Sequence, residues 1–130
     1  MTIPRMTLIL GVLFLLGGAG GCVSAEKEWA DRREKLLVLY PPGKTTRADV
    51  QAKFKSTPEF SLVRPEGGWA TLEQAVIADH ILSSQQRVGT MVTRCERYLA
   101  PDGFLGLCNC WFYYDDRDIL LDAEWQYHSD

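Results

Sequence analysis

The spacing of hydrophobic and polar positions changes character along the chain. Residues 6–16 (MTLILGVLFLL) form one apolar run of eleven. Over 25–40 (AEKEWADRREKLLVLY) the apolar positions thin out to helical spacing. Trp29, Arg33, Leu36/Leu37 and Tyr40 make a narrow stripe, and Glu28–Arg32 and Asp31–Lys35 are i,i+4 pairs. Ser24 is placed to cap this helix and Pro41-Pro42-Gly43 to stop it. A second, shorter helix starts at Thr45 or Thr46 and ends before Pro58, with Ala48, Val50 and Phe54 on its apolar side. Residues 59–64 read as a short strand, Pro65–Gly68 as a loop, and 72–86 as a third helix capped by Thr71.

From Gly89 onward the period falls to two. Strands are expected over 90–99, 105–114 and 119–127, separated by turns at Ala100-Pro101-Asp102-Gly103 and Asp115-Asp116-Arg117-Asp118. In the last strand Ile119, Leu121, Ala123, Trp125 and Tyr127 share one face. A four-residue loop at 115–118 pairs Tyr114 with Ile119, Phe112 with Leu121, Cys110 with Ala123 and Cys108 with Trp125. The opposite face of the middle strand, with Asn109, Trp111 and Tyr113, is aromatic enough to need cover from helices. The pattern gives an α+β fold: N-terminal helices packed on a three- or four-stranded antiparallel sheet.

Composition narrows the function classes. The 130 residues are 46% hydrophobic and 24% charged, which suits one globular domain. A net charge of −3 argues against a general nucleic-acid binder. Two histidines, His80 and His128, exclude a multi-histidine metal centre. Charge is uneven: residues 22–64 sum to +3 and 65–130 to −7.

The eleven-residue apolar run is too short for a bilayer span of roughly 20 residues. After Arg5 and the amino terminus it matches the core of a signal sequence. Ala19-Gly20-Gly21-Cys22 resembles a bacterial lipobox, with Ala19 where Leu is usual. The resemblance implies lipid attachment at Cys22 and cleavage before it. Residues 1–21 are then a signal peptide, 22–40 a lipid-anchored helical segment and 41–130 the α+β domain. Val23 and Ser24 offer no inner-membrane retention Asp, which points to the outer membrane.

Residues 43–58 (GKTTRADVQAKFKSTP) resemble the Gly-x-Thr-x-x-x-x-Val-x-x-x-(apolar)-Gly-x-Pro motif of the BamE (SmpA/OmlA) family of small outer-membrane lipoproteins. Gly43, Thr45, Val50 and Phe54 fall at the family's spacing; Lys55 stands where the family has its second Gly, and Pro58 lies one residue late. The stretch Cys110-Trp-Phe-Tyr-Tyr-Asp-Asp116 is similar to the family's closing hairpin, and residues 60–88 read as an insertion. The resemblance implies a non-catalytic interaction module without cofactor on the periplasmic side of the outer membrane. It implies binding to anionic phospholipid and to an envelope protein, in β-barrel assembly or envelope integrity.

Several constellations remain. Lys44, Arg47, Lys53 and Lys55 flank the second helix as candidate lipid contacts. Trp69 and Trp111 are candidate partner anchors. Cys95, Cys108 and Cys110 remain after lipidation, and an oxidising compartment favours a disulfide. A four-residue turn at 100–103 places Cys95 opposite Cys108, and a two-residue Asp102-Gly103 turn places it opposite Cys110. A three-residue loop with a glycine bulge forbids both. Pro101 suits the first of these. A rival function class is a thiol- or metal-binding protein built on the same three cysteines.

Overall fold

Four strands lie in chain order, all antiparallel, in one open sheet: β1 (Phe60–Val63), β2 (Arg94–Pro101), β3 (Leu107–Tyr114) and β4 (Leu120–Tyr127). Among the described residues three helices complete the α+β fold: α1 (Gly20–Leu39), α2 (Arg47–Phe54) and α3 (Ala75–Val88), with a 3-10 turn at Trp69–Thr71. The computed structural model describes residues 20–101 and 107–127, with side chains over 27–100 and 108–126. The expected signal segment falls outside them up to residue 19, and so does His128. The chain divides between Asp31 and Arg32, and the packing below lies within the second unit, Arg32–Asp130.

The sheet separates two hydrophobic clusters. On one face Tyr98, Cys108, Cys110, Phe112, Tyr114, Leu120, Ala123 and Trp125 meet Leu36 and Tyr40 from the end of α1 and Val50 from α2. On the other, Cys95, Trp111 and Tyr113 meet Trp69, Ile81 of α3 and Val92. These helical layers cover both faces, including the aromatic side of β3 that the sequence marks for cover. The second half of the expected 22–40 helical segment is thus part of the domain's core.

Local sequence explains most boundaries. The Thr46 hydroxyl accepts from Asp49 N–H at 3.1 Å while the Asp49 carboxylate accepts from Thr46 N–H at 3.0 Å, a reciprocal cap that starts α2. Lys55 ends α2 in the left-handed region at φ 55°, where glycine is favoured. The family resemblance has its second Gly at that position. Gly89 performs the same service for α3 at φ 68°.

Three expectations are corrected. Helix α1 is already formed at Gly20, so Ser24 lies inside it instead of capping it. Helix α3 starts at Ala75, not 72, because Trp69–Thr71 tightens into a 3-10 turn whose Thr71 hydroxyl donates to Gly68 C=O at 2.7 Å. The β3–β4 register is displaced: Phe112 pairs with Ala123 and Cys110 with Trp125, while Tyr114 pairs with Leu120. A bulge accounts for it. Leu121 is the extra residue between Leu120 and Asp122, so it turns to the second cluster and the simple alternation through Ile119, Leu121 and Ala123 is broken. Ile119 instead bridges to Thr46.

The β2–β3 register settles the cysteines. Cys95 pairs with Tyr113, Tyr98 with Cys110 and Ala100 with Cys108. Five residues, 102–106, separate the paired ends Pro101 and Leu107, and an odd count reverses the parity that an even turn would give. Cys95 therefore faces away from Cys108 and Cys110, and no disulfide joins them. The expected Cys95–Cys108 and Cys95–Cys110 pairings are both overturned.

Candidate functional site

A cleft of about 290 Å³ opens where the end of α1 meets the first face of the sheet. Arg32, Lys35, Leu36 and Leu39 line it from α1. Their i, i+3, i+4, i+7 spacing puts them on one helical face, so a single stripe supplies a basic mouth and an apolar wall. Tyr40 and Phe54 form the neighbouring wall; Ala100, Cys108, Cys110 and Trp125 form the floor from β2, β3 and β4.

Aromatic contacts fix the walls. Phe54 stacks on Tyr98 with centroids 4.5 Å apart, and Tyr40 meets Phe112 edge-on at 5.2 Å. Cations sit over two rings: the Arg32 guanidinium lies 4.6 Å from the Trp125 centroid and the Lys53 ammonium 4.8 Å from that of Tyr40. Lys53 Nζ also donates to Leu39 C=O at 2.8 Å, binding the last turn of α1. Lys35 is exposed at the mouth. Burial, then the neighbouring Cys110, push the Tyr40 phenol above its ordinary value. The two floor sulfurs, Cys108 Sγ and Cys110 Sγ, are 3.9 Å apart. The Cys108 contact and burial both push the Cys110 thiol up, so it is held protonated.

The family-motif residues are structural. Gly43, at φ 80°, donates its N–H to Leu120 C=O at 2.8 Å, and Leu120 N–H donates to Thr45 C=O at 2.8 Å. The Thr45 hydroxyl donates to Pro41 C=O at 2.9 Å. Gly43 and Thr45 thus dock the α1–α2 link onto the start of β4. Val50 is fully buried, Phe54 is half-buried on the same cluster, and Pro58 is half-buried ahead of β1.

Sequence-expected site residues fare unevenly. Cys22 lies near the start of α1 with its side chain outside the described residues. The four candidate lipid cations are not equivalent. Arg47 forms a two-pronged pair with the buried Glu96 carboxylate, Nε to Oε1 at 2.8 Å and Nη2 to Oε2 at 2.9 Å. That pairing raises its pKa further, so Arg47 is a structural cation, a correction to its expected role. Lys53 is engaged with α1 as described; Lys44 and Lys55 are exposed.

Trp69 and Trp111 are corrected as partner anchors, because both are buried: Trp69 Nε1 donates to Val92 C=O at 2.6 Å, and Trp111 Nε1 donates to Gln126 Oε1 at 3.1 Å. The three cysteines do not converge, and no group of three or more His, Cys, Asp and Glu side chains suited to a metal exists among the described residues. The three-thiol rival reading loses its site.

The sequence pattern does not expose the ion clusters. Asp122 accepts from Arg33 of α1 at 2.7 Å and from Ser84 and Arg87 of α3 at 2.8 and 3.0 Å. Glu124 binds Arg87 and lies 3.4 Å from His80 Nδ1, while the His80 ring stacks on Trp111 at 5.7 Å. The Glu124 bond raises the His80 pKa; for Glu124, burial pulls upward but the bonds from His80 and Arg87 outweigh it and lower its pKa. Acidic residues inside the strands, Glu96 of β2 and Asp122 of β4, were the available signal.

No protein-family model, curated protein or solved structure gives a significant match to the chain.

Proposed function

We propose that the protein is a non-catalytic envelope lipoprotein of BamE-like type. It is tethered through Cys22 to the periplasmic side of the outer membrane and docks an envelope partner in the cleft. The β-barrel assembly machinery is the partner class the motif suggests. The cleft carries the reading. Its apolar floor and basic mouth, built from one stripe of α1, suit a partner segment that inserts an apolar side chain and presents carboxylates to Arg32 and Lys35. The interior acids and His80 are occupied in structural pairs: Glu96 with Arg47, Asp122 with Arg33 and Arg87, Glu124 with His80 and Arg87.

The test is photocrosslinking in native membranes with the crosslinker at Lys35, Leu39 or, as a control, Val76 on α3, followed by mass spectrometry. Position 35 or 39 should capture one envelope protein, capture from 39 should be weakened by Lys35→Glu, and position 76 should not capture it. Equal capture from 76 would remove the cleft from the proposal. Cys22→Ser should release the chain from membranes or leave a precursor; fractionation like wild type would remove the tether.

A further inference from the structure

We propose that Cys108 and Cys110 form a two-thiolate site for one soft monovalent d10 cation, Cu(I) or its mimic Ag(I). The proposal goes beyond the docking reading and does not rest on the tether or the partner.

The geometry comes from the strand. Residues 108 and 110 alternate on β3, so both side chains leave the same face of the sheet. Both belong to the cleft floor, their sulfurs 3.9 Å apart and not joined in a disulfide. With metal–sulfur bonds of about 2.3 Å, that separation subtends roughly 116° at a shared ion. Opening the pair to about 4.6 Å makes the arrangement linear, a shift of well under 1 Å for each sulfur.

The surroundings choose the metal. Zinc takes four ligands, with carboxylate or imidazole joining thiolates when cysteines run short. Among the described residues the cleft lining holds neither, and Cys95 faces the opposite cluster. A soft ion satisfied by two thiolates fits this donor set, and thiolate ligands select Cu(I). Binding is a simple exchange: one M⁺ enters, two S–H bonds break, two M–S bonds form, two protons leave and no electron moves. The resulting dithiolate complex carries one negative charge. Arg32 and Lys35 line the same cleft and supply positive charge. The aromatic walls of Tyr40, Phe54 and Trp125 restrict water around it.

Two buried cysteines one residue apart are otherwise simply small apolar side chains, and the experiment separates these readings. The full chain, reduced and anaerobic, is titrated with Cu(I) against a chromophoric chelator and, in parallel, with Ag(I) under native mass spectrometry. One ion per chain is expected, with release of two protons and an apparent affinity that rises about 100-fold per pH unit while both thiols are protonated. Cys108→Ser and Cys110→Ser should each weaken binding at least a hundredfold. Cys95→Ser and Cys22→Ser should leave it unchanged. A second measurement needs no variant: bound ion should shield Cys108 and Cys110 of the wild-type chain from alkylation on unfolding, but not Cys95. Absence of a bound ion, binding that survives loss of either floor cysteine, or shielding confined to Cys22 or Cys95 would overturn the site.

Discussion

The two faces of the sheet are both lined with aromatic residues, yet one is sealed and the other is open. On the α3 side Trp69 is pinned by its bond to Val92 C=O, His80 lies flat on Trp111, and Arg87, Glu124 and Asp122 close the rim with charge. On the α1–α2 side the closure is partial. Arg47 and Glu96 seal one end, and beyond Phe54 the cleft reaches down to Cys108 and Cys110. The difference lies in where the cations are used. Arg33, Arg47 and Arg87 pair with buried acids, and Arg32 lies over the Trp125 ring beside Lys35 in the cleft. Ion pairs hold a layer on each face, but the α3 layer carries the Arg87–Glu124 pair at its rim, whereas the α1–α2 layer, held by Arg47–Glu96 and Arg33–Asp122, leaves the cleft beside Phe54.

That contrast is breakable first on its sealed side. Trp69→Ala should cost about 3–5 kcal/mol of stability by the cavity it leaves, read as a lower denaturant midpoint, and should not alter partner crosslinking from position 35 in chains that remain folded. A partner defect without a stability loss would restore Trp69 as an anchor.

The next largest effect concerns the basic residues near α2. Arg47→Ala leaves the fully buried Glu96, among the described residues, with the Ser61 hydroxyl at 2.7 Å as its hydrogen-bond partner. It should destabilise by about 3 kcal/mol. Lys44→Ala, on the exposed side, should stay within about 0.5 kcal/mol. Equal effects in urea unfolding would show that Arg47 is a surface charge like Lys44.

A smaller change should be a gain. Lys55→Gly relieves a left-handed residue at φ 55° and should stabilise by about 1 kcal/mol. A loss would mean that the lysine side chain contributes more than its backbone costs.

The smallest effect is a pH dependence. His80 gains Glu124 on folding, so its folded pKa lies above the unfolded value of 6.5. Its contribution is full below that unfolded value and is lost as pH rises through the folded pKa. The thermal midpoint should therefore fall as pH rises above about 6.5, and His80→Gln should flatten that fall. Glu124 works in the opposite direction: its lowered pKa gives stability above its ordinary 4.5 that is lost only in acid as pH falls through the folded value. An unchanged slope in His80→Gln would remove the imidazole from the α3 seal.

The sequence by itself determined the elements whose signals are local. A threonine cap at Thr45 or Thr46, the proline stop after Tyr40, the α2 face with Val50 and Phe54, and the strands of the C-terminal half follow from nearest neighbours along the chain. So does the α+β order, because helical and two-residue periods occupy separate stretches. Tertiary structure alone decided the rest. The Leu121 bulge and the five-residue β2–β3 separation set the registers, and one residue of slip moves a cysteine to the other face. Burial of Trp69 and Trp111 depended on α3 and the 3-10 turn lying across β3. The pairing of Arg33, Arg47 and Arg87 depended on where Glu96 and Asp122 came to rest. Local spacing cannot encode that choice, because each pair joins residues 49 to 89 positions apart, except the 35-residue Arg87–Asp122 pair, and forms only when separate elements pack together.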